Sequence, residues 1–180
     1  MTKNKKIIIF VLVVLSASIF VGFRFVPVLS VQGKRASYSE FLKIRSAIEK
    51  TNFISKDKIP GDLNSVAMMN LMEQEFLDIL IDSVDHNLKS KAEDIVAEAI
   101  AKTPDLSLDN VSEELYGLSS VDFKKLVLLP QAKRDLVENY FKKNNQDIIQ
   151  AWTSLYGTAS VKIYYPGYYW DTKEYAVKKK

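Results

Sequence analysis

Cysteine is absent from the 180 residues, and histidine occurs once, at His86. The first absence excludes disulfides, thiolate nucleophiles and Cys-built zinc or iron–sulfur sites. The second leaves one imidazole for any acid–base chemistry. Proline (5) and glycine (6) are also sparse. With 47% hydrophobic and 26% charged residues, this is the composition of a folded domain, not of a disordered tail. Negative charge is missing from the start of the chain: residues 1–30 contain Lys3, Lys5, Lys6 and Arg24 and no acid. The net charge of +3 therefore belongs to the N-terminus, and the near-neutral remainder carries no footprint for nucleic acid.

What the N-terminus does contain is a long apolar run. Ile7 to Phe23 holds no charge and nothing more polar than Ser16 and Ser18. At ~1.5 Å per residue it extends roughly 25 Å, and Phe25 to Leu29 lengthen it while Arg24 reaches the interface. The expectation is a single transmembrane signal-anchor helix over 7–27, preceded by a cytoplasmic basic segment, 1–6. The leading lysines put the N-terminus in the cytoplasm and the domain outside it, at the cell membrane. A cleaved signal peptide is the competing reading, with Ser16-Ala17-Ser18 as the small residues. The apolar run continues through that cut, which favours retention.

Beyond residue 27 the pattern is mainly helical. Val28 to Val31 reads as a short strand turning at Gln32-Gly33. Ser37 and Glu40 match a capping box ahead of a helix over about 37–50. Thr51 to Asp62, with Pro60-Gly61, reads as a loop. From Asp62 to about Asp85 a broad apolar arc through Val66, Met69, Phe76, Leu80 and Val84 predicts the central helix. Ser90 and Glu93 are a second capping-box candidate, and Thr103-Pro104 ends the helix that follows. Ser107 to Tyr116 is a short helix or turn closed by Gly117. Ser119 and Asp122 restart the pattern with Phe123, Leu126 and Val127. Pro130 is expected to kink or break it before Leu136, Val137, Tyr140 and Phe141. A last helix covers about 147–156, and Thr158 to Tyr165 reads as a strand. Pairing of the two terminal strands would tie the ends of a helical body together.

Several of these segments resemble the N-terminal domain of SurA-type periplasmic chaperones, relatives of the trigger factor peptide-binding domain. Val31-Gln-Gly-Lys-Arg-Ala-Ser-Tyr-Ser-Glu-Phe-Leu is similar to the family's opening phrase, with Gln32 where Asn is expected. Leu71-Met-Glu-Gln-Glu-Phe resembles its long helix, and Leu115 to Gln131 its Gly-x-Ser…Phe-Lys-x-Leu-Val segment. Ala159-Ser-Val-Lys-Ile-Tyr is similar to its final strand. The resemblance covers roughly residues 28–165 and implies a helical domain with a small two-stranded sheet joining its ends, followed by an aromatic and basic tail, 166–180. The prolyl-isomerase (parvulin) domain of the family would follow Phe141, where only Lys142 to Gln146 precede the next helix, and its pocket needs paired histidines. The resemblance thus implies a peptide-binding module without isomerase activity.

Candidate chemistry is sparse. His86 lies at a helix end between Asp85 and Asn87, with no Gly-x-Ser-x-Gly elbow in the chain, and reads as a terminal histidine, not a catalytic one. The carboxylates of Glu73, Glu75, Asp78, Glu113 and Glu114 read as solvated helix faces, without EF-hand spacing or a phosphate-binding glycine loop. No catalytic residue, metal ligand or cofactor is assigned. Met68, Met69 and Met72 stand together, and adaptable thioethers suit promiscuous apolar partners. The peptide-binding candidates are Met68, Met72, Phe123, Tyr140 and Phe141, with core filling as the alternative. Arg24, Tyr168, Tyr169 and Trp170 are candidates for the membrane interface, against packing over the small sheet. Lys178 to Lys180 read as a frayed end. The function expected is a membrane-anchored extracytoplasmic chaperone-like domain that binds unfolded or exported polypeptides and is not an enzyme. The alternative is a structural or adaptor subunit docking one partner in an envelope complex.

Overall fold

The computed structural model describes residues 26–56, 58–103 and 107–180. Of the expected membrane span, residues 7–25 lie outside these, as does Arg24. Val26 and Pro27 belong to the domain, since the first strand, β1, covers Pro27–Val31. Among the described residues no helix is long and apolar enough to cross a membrane.

The domain is mainly helical, with two small sheets. β1 turns through Gln32 and Gly33, both at positive φ (49° and 84°), into β2 (Lys34–Ser37). Two central residues at positive φ match the right-handed twist of a two-residue hairpin. On its other edge β1 pairs antiparallel with β3 (Val161–Ile163), Leu29 opposite Ile163 and Val31 opposite Val161. The expected pairing of the ends is present, in a sheet of three strands ordered β2-β1-β3 instead of two. Lys-Arg-Ala-Ser hides the extra strand in the sequence because it is an edge that buries only Ala36.

α1 (Tyr38–Ile54) starts at the capping box: Ser37 Oγ accepts from the Glu40 amide and Glu40 Oε2 accepts from the Ser37 amide. It runs past the expected end at 50, because nothing before Pro60 opposes helix. α2 (Leu63–Val84) is capped by Asp62, whose carboxylate accepts from the Ser65 amide at 2.9 Å. α3 (Asn87–Ala101) begins three residues before the expected cap. Asp85 Oδ1 holds the Asn87 amide at 2.9 Å, and the Ser90 hydroxyl donates to the Asn87 carbonyl, so the Ser90 capping box is not formed.

α4 (Leu108–Val111) passes into a wide π-helical turn, Ser112–Tyr116, that ends at Gly117 with φ +66°. α5 (Ser120–Phe123), capped by Ser119, runs through a second wide turn, Lys124–Leu128, into α6 (Leu129–Lys143). Pro130 therefore neither breaks nor ends the helix. The wide turn, closed by the Leu129 amide on the Lys124 carbonyl, relieves the clash that a proline ring makes with the carbonyl four residues earlier. α6 and α7 (Ile148–Thr158) are joined by residues 144–147.

The expected tail is a hairpin instead. β4 (Tyr168–Asp171) pairs with β5 (Ala176–Lys179), and Tyr168 and Val177 enter the central core beside Phe41, Met68, Met72 and Phe76. Lys178 and Lys179 are thus strand residues, and the Lys180 amide bonds to the Gly167 carbonyl at 2.8 Å.

Candidate functional site

The five residues expected to bind peptide are not gathered on one surface. Met68 and Met72 are fully buried in the central cluster. Phe123 packs under the Tyr116 ring, centroids 4.8 Å apart, in a separate cluster with Ala47 and Leu118. Phe141 is buried with Leu77, Leu80, Ile81 and Val137, and half-buried Tyr140 lies against it. The apolar arc of α2 is covered by β1, α1, α6, α7 and the terminal hairpin, so its methionines have become packing.

The terminal aromatics follow strand alternation. The Tyr168 hydroxyl donates to Asp62 Oδ2 at 3.0 Å and accepts from Asn64 Nδ2 at 3.1 Å. Trp170 points the same way, 6.3 Å from both Phe76 and Tyr156. Tyr168 and Trp170 are therefore packed inside the domain, and Tyr169 between them faces outward, 40% exposed.

An unfilled space does exist, in a place the sequence patterns did not single out. A groove of about 390 Å³ opens between α1, α2 and the segment running from the second wide turn into α6. Ile44, Ile48, Leu77, Leu118, Leu126 and Val127 give it an apolar lining, while Asn70, Glu73, Gln74, Gln131 and Arg134 add polar groups. The wide turn borders the groove with Leu126 and Val127. Phe123, just before the turn, packs with Ala47, and Leu126 within it joins the central core. Because Pro130 has no amide, the Leu126 carbonyl lacks its helical donor, and Gln74 Nε2 approaches it at 3.5 Å. The legible signal was Lys-Leu-Val-Leu-Leu-Pro, which holds more apolar residues than one helical stripe accommodates.

One ion pair, Glu73–Arg134, lines the groove, and two more, Lys133–Asp78 and Lys125–Glu40, line a smaller pocket of about 140 Å³ that shares Gln74, Leu77, Leu126 and Pro130 with it. Arg134 Nη2 lies 3.0 Å from Glu73 Oε2, Lys133 Nζ 2.6 Å from Asp78 Oδ1, and Lys125 Nζ 2.6 Å from Glu40 Oε1. Burial alone would raise the Glu40 carboxyl, but the Lys125 ammonium and the Ser37 cap together hold it below the usual carboxylate range. Glu75 shifts the other way: burial raises it, and the nearby Asp78 adds to the effect. Burial, with the Glu73 carboxylate close by, pushes the Tyr156 phenol up to about 12.

His86 is exposed, with Nδ1 3.3 Å from Asp82 Oδ1. Among the described residues no three or more histidines and carboxylates are grouped to hold a metal ion. In comparisons with known proteins, no family model, curated protein or solved structure matches the chain.

Proposed function

We propose that this chain is a membrane-anchored, extracytoplasmic chaperone-like protein that holds segments of unfolded polypeptide and performs no covalent chemistry. The observation that carries this reading is the groove. Its lining is mainly apolar, with half-buried Val127 and Ile59, 40% exposed, as its accessible aliphatic side chains, and its Asn and Gln groups suit a peptide backbone. Its volume fits one or two apolar side chains of an extended segment, each worth ~1.5–3 kcal/mol on full burial before ordering costs are subtracted. Such contacts are weak and renewable, as a holding function requires. The resemblance of the two ends and the central helix to SurA-type domains supports the same reading, and the apolar run after the N-terminal lysines supports the anchor.

The test is suppression of aggregation of several unrelated unfolded proteins by the full-length chain. Val127, half-buried in the groove, is replaced by Glu. Protection lost with the melting temperature retained supports the reading; a parent protein that protects no client ends it. Reporter fusions after Lys180 test the orientation, and an active cytoplasm-only reporter there would overturn it.

A second reading, docking of one defined partner, is favoured by Phe53, which stands 89% exposed near the end of α1. One stoichiometric partner recovered from membranes, and lost on Phe53→Ser, would select it.

A further inference from the structure

The strip that carries the groove continues beyond the Glu73–Arg134 ion pair into a second recess of about 280 Å³, lined by Glu73, Arg134, Glu138, Trp152 and Tyr156. Glu73 and Arg134 line both spaces, so the ion pair is a shared wall. The two spaces differ in chemistry. The groove is mainly aliphatic, whereas the recess combines two carboxylates and two aromatic rings with one guanidinium. Arg134 is neutralised by Glu73 at 3.0 Å, and Glu138 makes no ion pair among the described residues. The recess thus has one negative charge in excess, beside half-buried Trp152 and Tyr156; Tyr156 packs against Trp152 and Tyr175, so Trp152 is the ring that can attract a cation.

We infer that the recess takes the lysine or arginine side chain of a bound peptide whose aliphatic side chain occupies the groove, an inference that rests on the peptide-holding reading. A basic side chain gains Glu138 and contact with the Trp152 ring. An acidic one meets an unpaired carboxylate at close range and is rejected. The spacing follows from α6. Gln131 on the groove and Glu138 on the recess are separated by about 10 Å along the helix axis, a distance that an extended peptide covers in about three residues. The preferred segment therefore carries an aliphatic residue and a basic residue three positions apart.

Fluorescence anisotropy with labelled ten-residue peptides in a Ser/Asn background tests this on the full-length chain reconstituted in lipid nanodiscs, with empty discs as blank. The peptides carry Leu and Arg three apart, Leu and Glu three apart, or Ser and Arg three apart. The Leu/Arg peptide is expected to bind about tenfold more tightly than either other peptide. Glu138→Lys should reverse the Arg-over-Glu preference, and Glu138→Gln should reduce it; Glu138 is exposed, and a melting curve for each variant confirms the fold. Equal binding of the Leu/Arg and Leu/Glu peptides, or a preference untouched by both variants, overturns the inference while leaving the groove reading in place. Failure of every Leu-containing peptide to bind ends both.

Discussion

Lys34, at the turn end of the first hairpin, places its ammonium 2.9 Å from Asp82 Oδ2 near the end of α2, and Lys89 of α3 reaches the other oxygen of the same carboxylate at 2.5 Å. One side chain thus links the sheet to two helices. The Lys89 hydrogen bond first, and then that of Lys34, hold the Asp82 carboxyl far below the usual carboxylate range. A depressed carboxyl contributes stability that is complete above its ordinary value near 3.8 and is lost as pH falls towards the depressed one. The pairs are about one-third exposed, so solvent screens much of the gain. Asp82→Asn should cost on the order of 1 kcal/mol at neutral pH, or roughly 2–4 °C in Tm. The gap between parent and variant should close as the pH is lowered towards about 2. Thermal melts from acid to neutral pH measure it, and a gap that widens in acid contradicts it.

The buried methionines yield a sharper expectation. Met72 is fully enclosed with Phe41, Phe76 and Met68, so Met72→Ala removes packing and leaves a cavity worth about 2–5 kcal/mol. Any loss of client protection in this variant should track its loss of fold. Denaturant titration compared with aggregation assays decides this, and lost protection with unchanged stability would return Met72 to the binding surface.

Tyr168 ties the terminal hairpin to the N-terminus of α2 through Asp62 and Asn64. Tyr168→Phe keeps the ring in the core and should cost about 1 kcal/mol, the net value of a hydrogen bond that leaves partly exposed partners to water. Deletion of 166–180 should cost much more, since it uncovers Phe76 and removes Val177. Urea unfolding of the two variants gives the order, and a deletion as stable as the parent would return the segment to the status of a tail.

Gln32 occupies a left-handed position, φ 49°, in the two-residue hairpin turn, where Asn before Gly is preferred. Its amide donates to the Ser160 carbonyl at 2.8 Å, a bond that any non-proline residue keeps. Gln32→Asn should therefore stabilise the domain by roughly 0.5 kcal/mol, because Asn tolerates the left-handed region better. A raised melting midpoint confirms it, and a lowered one shows that the Gln32 side chain contributes contacts of its own.

Local chemistry made much of the architecture legible in the sequence. Ser37 with Glu40, and Ser119, cap the helices that their spacing announced, and Asp62 and Asp147 cap helices expected to start there, because a cap is satisfied within three residues and needs no distant partner. Gly117 closes its helix in the left-handed region for the same reason. The union of Leu29 with Ile163 was expected from two β-rich segments at opposite ends. Tertiary structure decided the rest. Asp85 and the packing of Leu88 start α3 ahead of its capping box, the wide turn absorbs Pro130, and alternation along β4 turns Tyr168 and Trp170 inward. Above all, a methionine on an apolar helical face looks the same in sequence whether that face meets solvent, a client or its own chain. Only the elements stacked on α2 determine which. They bury Met68 and Met72 and leave the open space where Leu126, Val127 and Pro130 meet α1, because burial is a property of the whole contact set and not of any one helix.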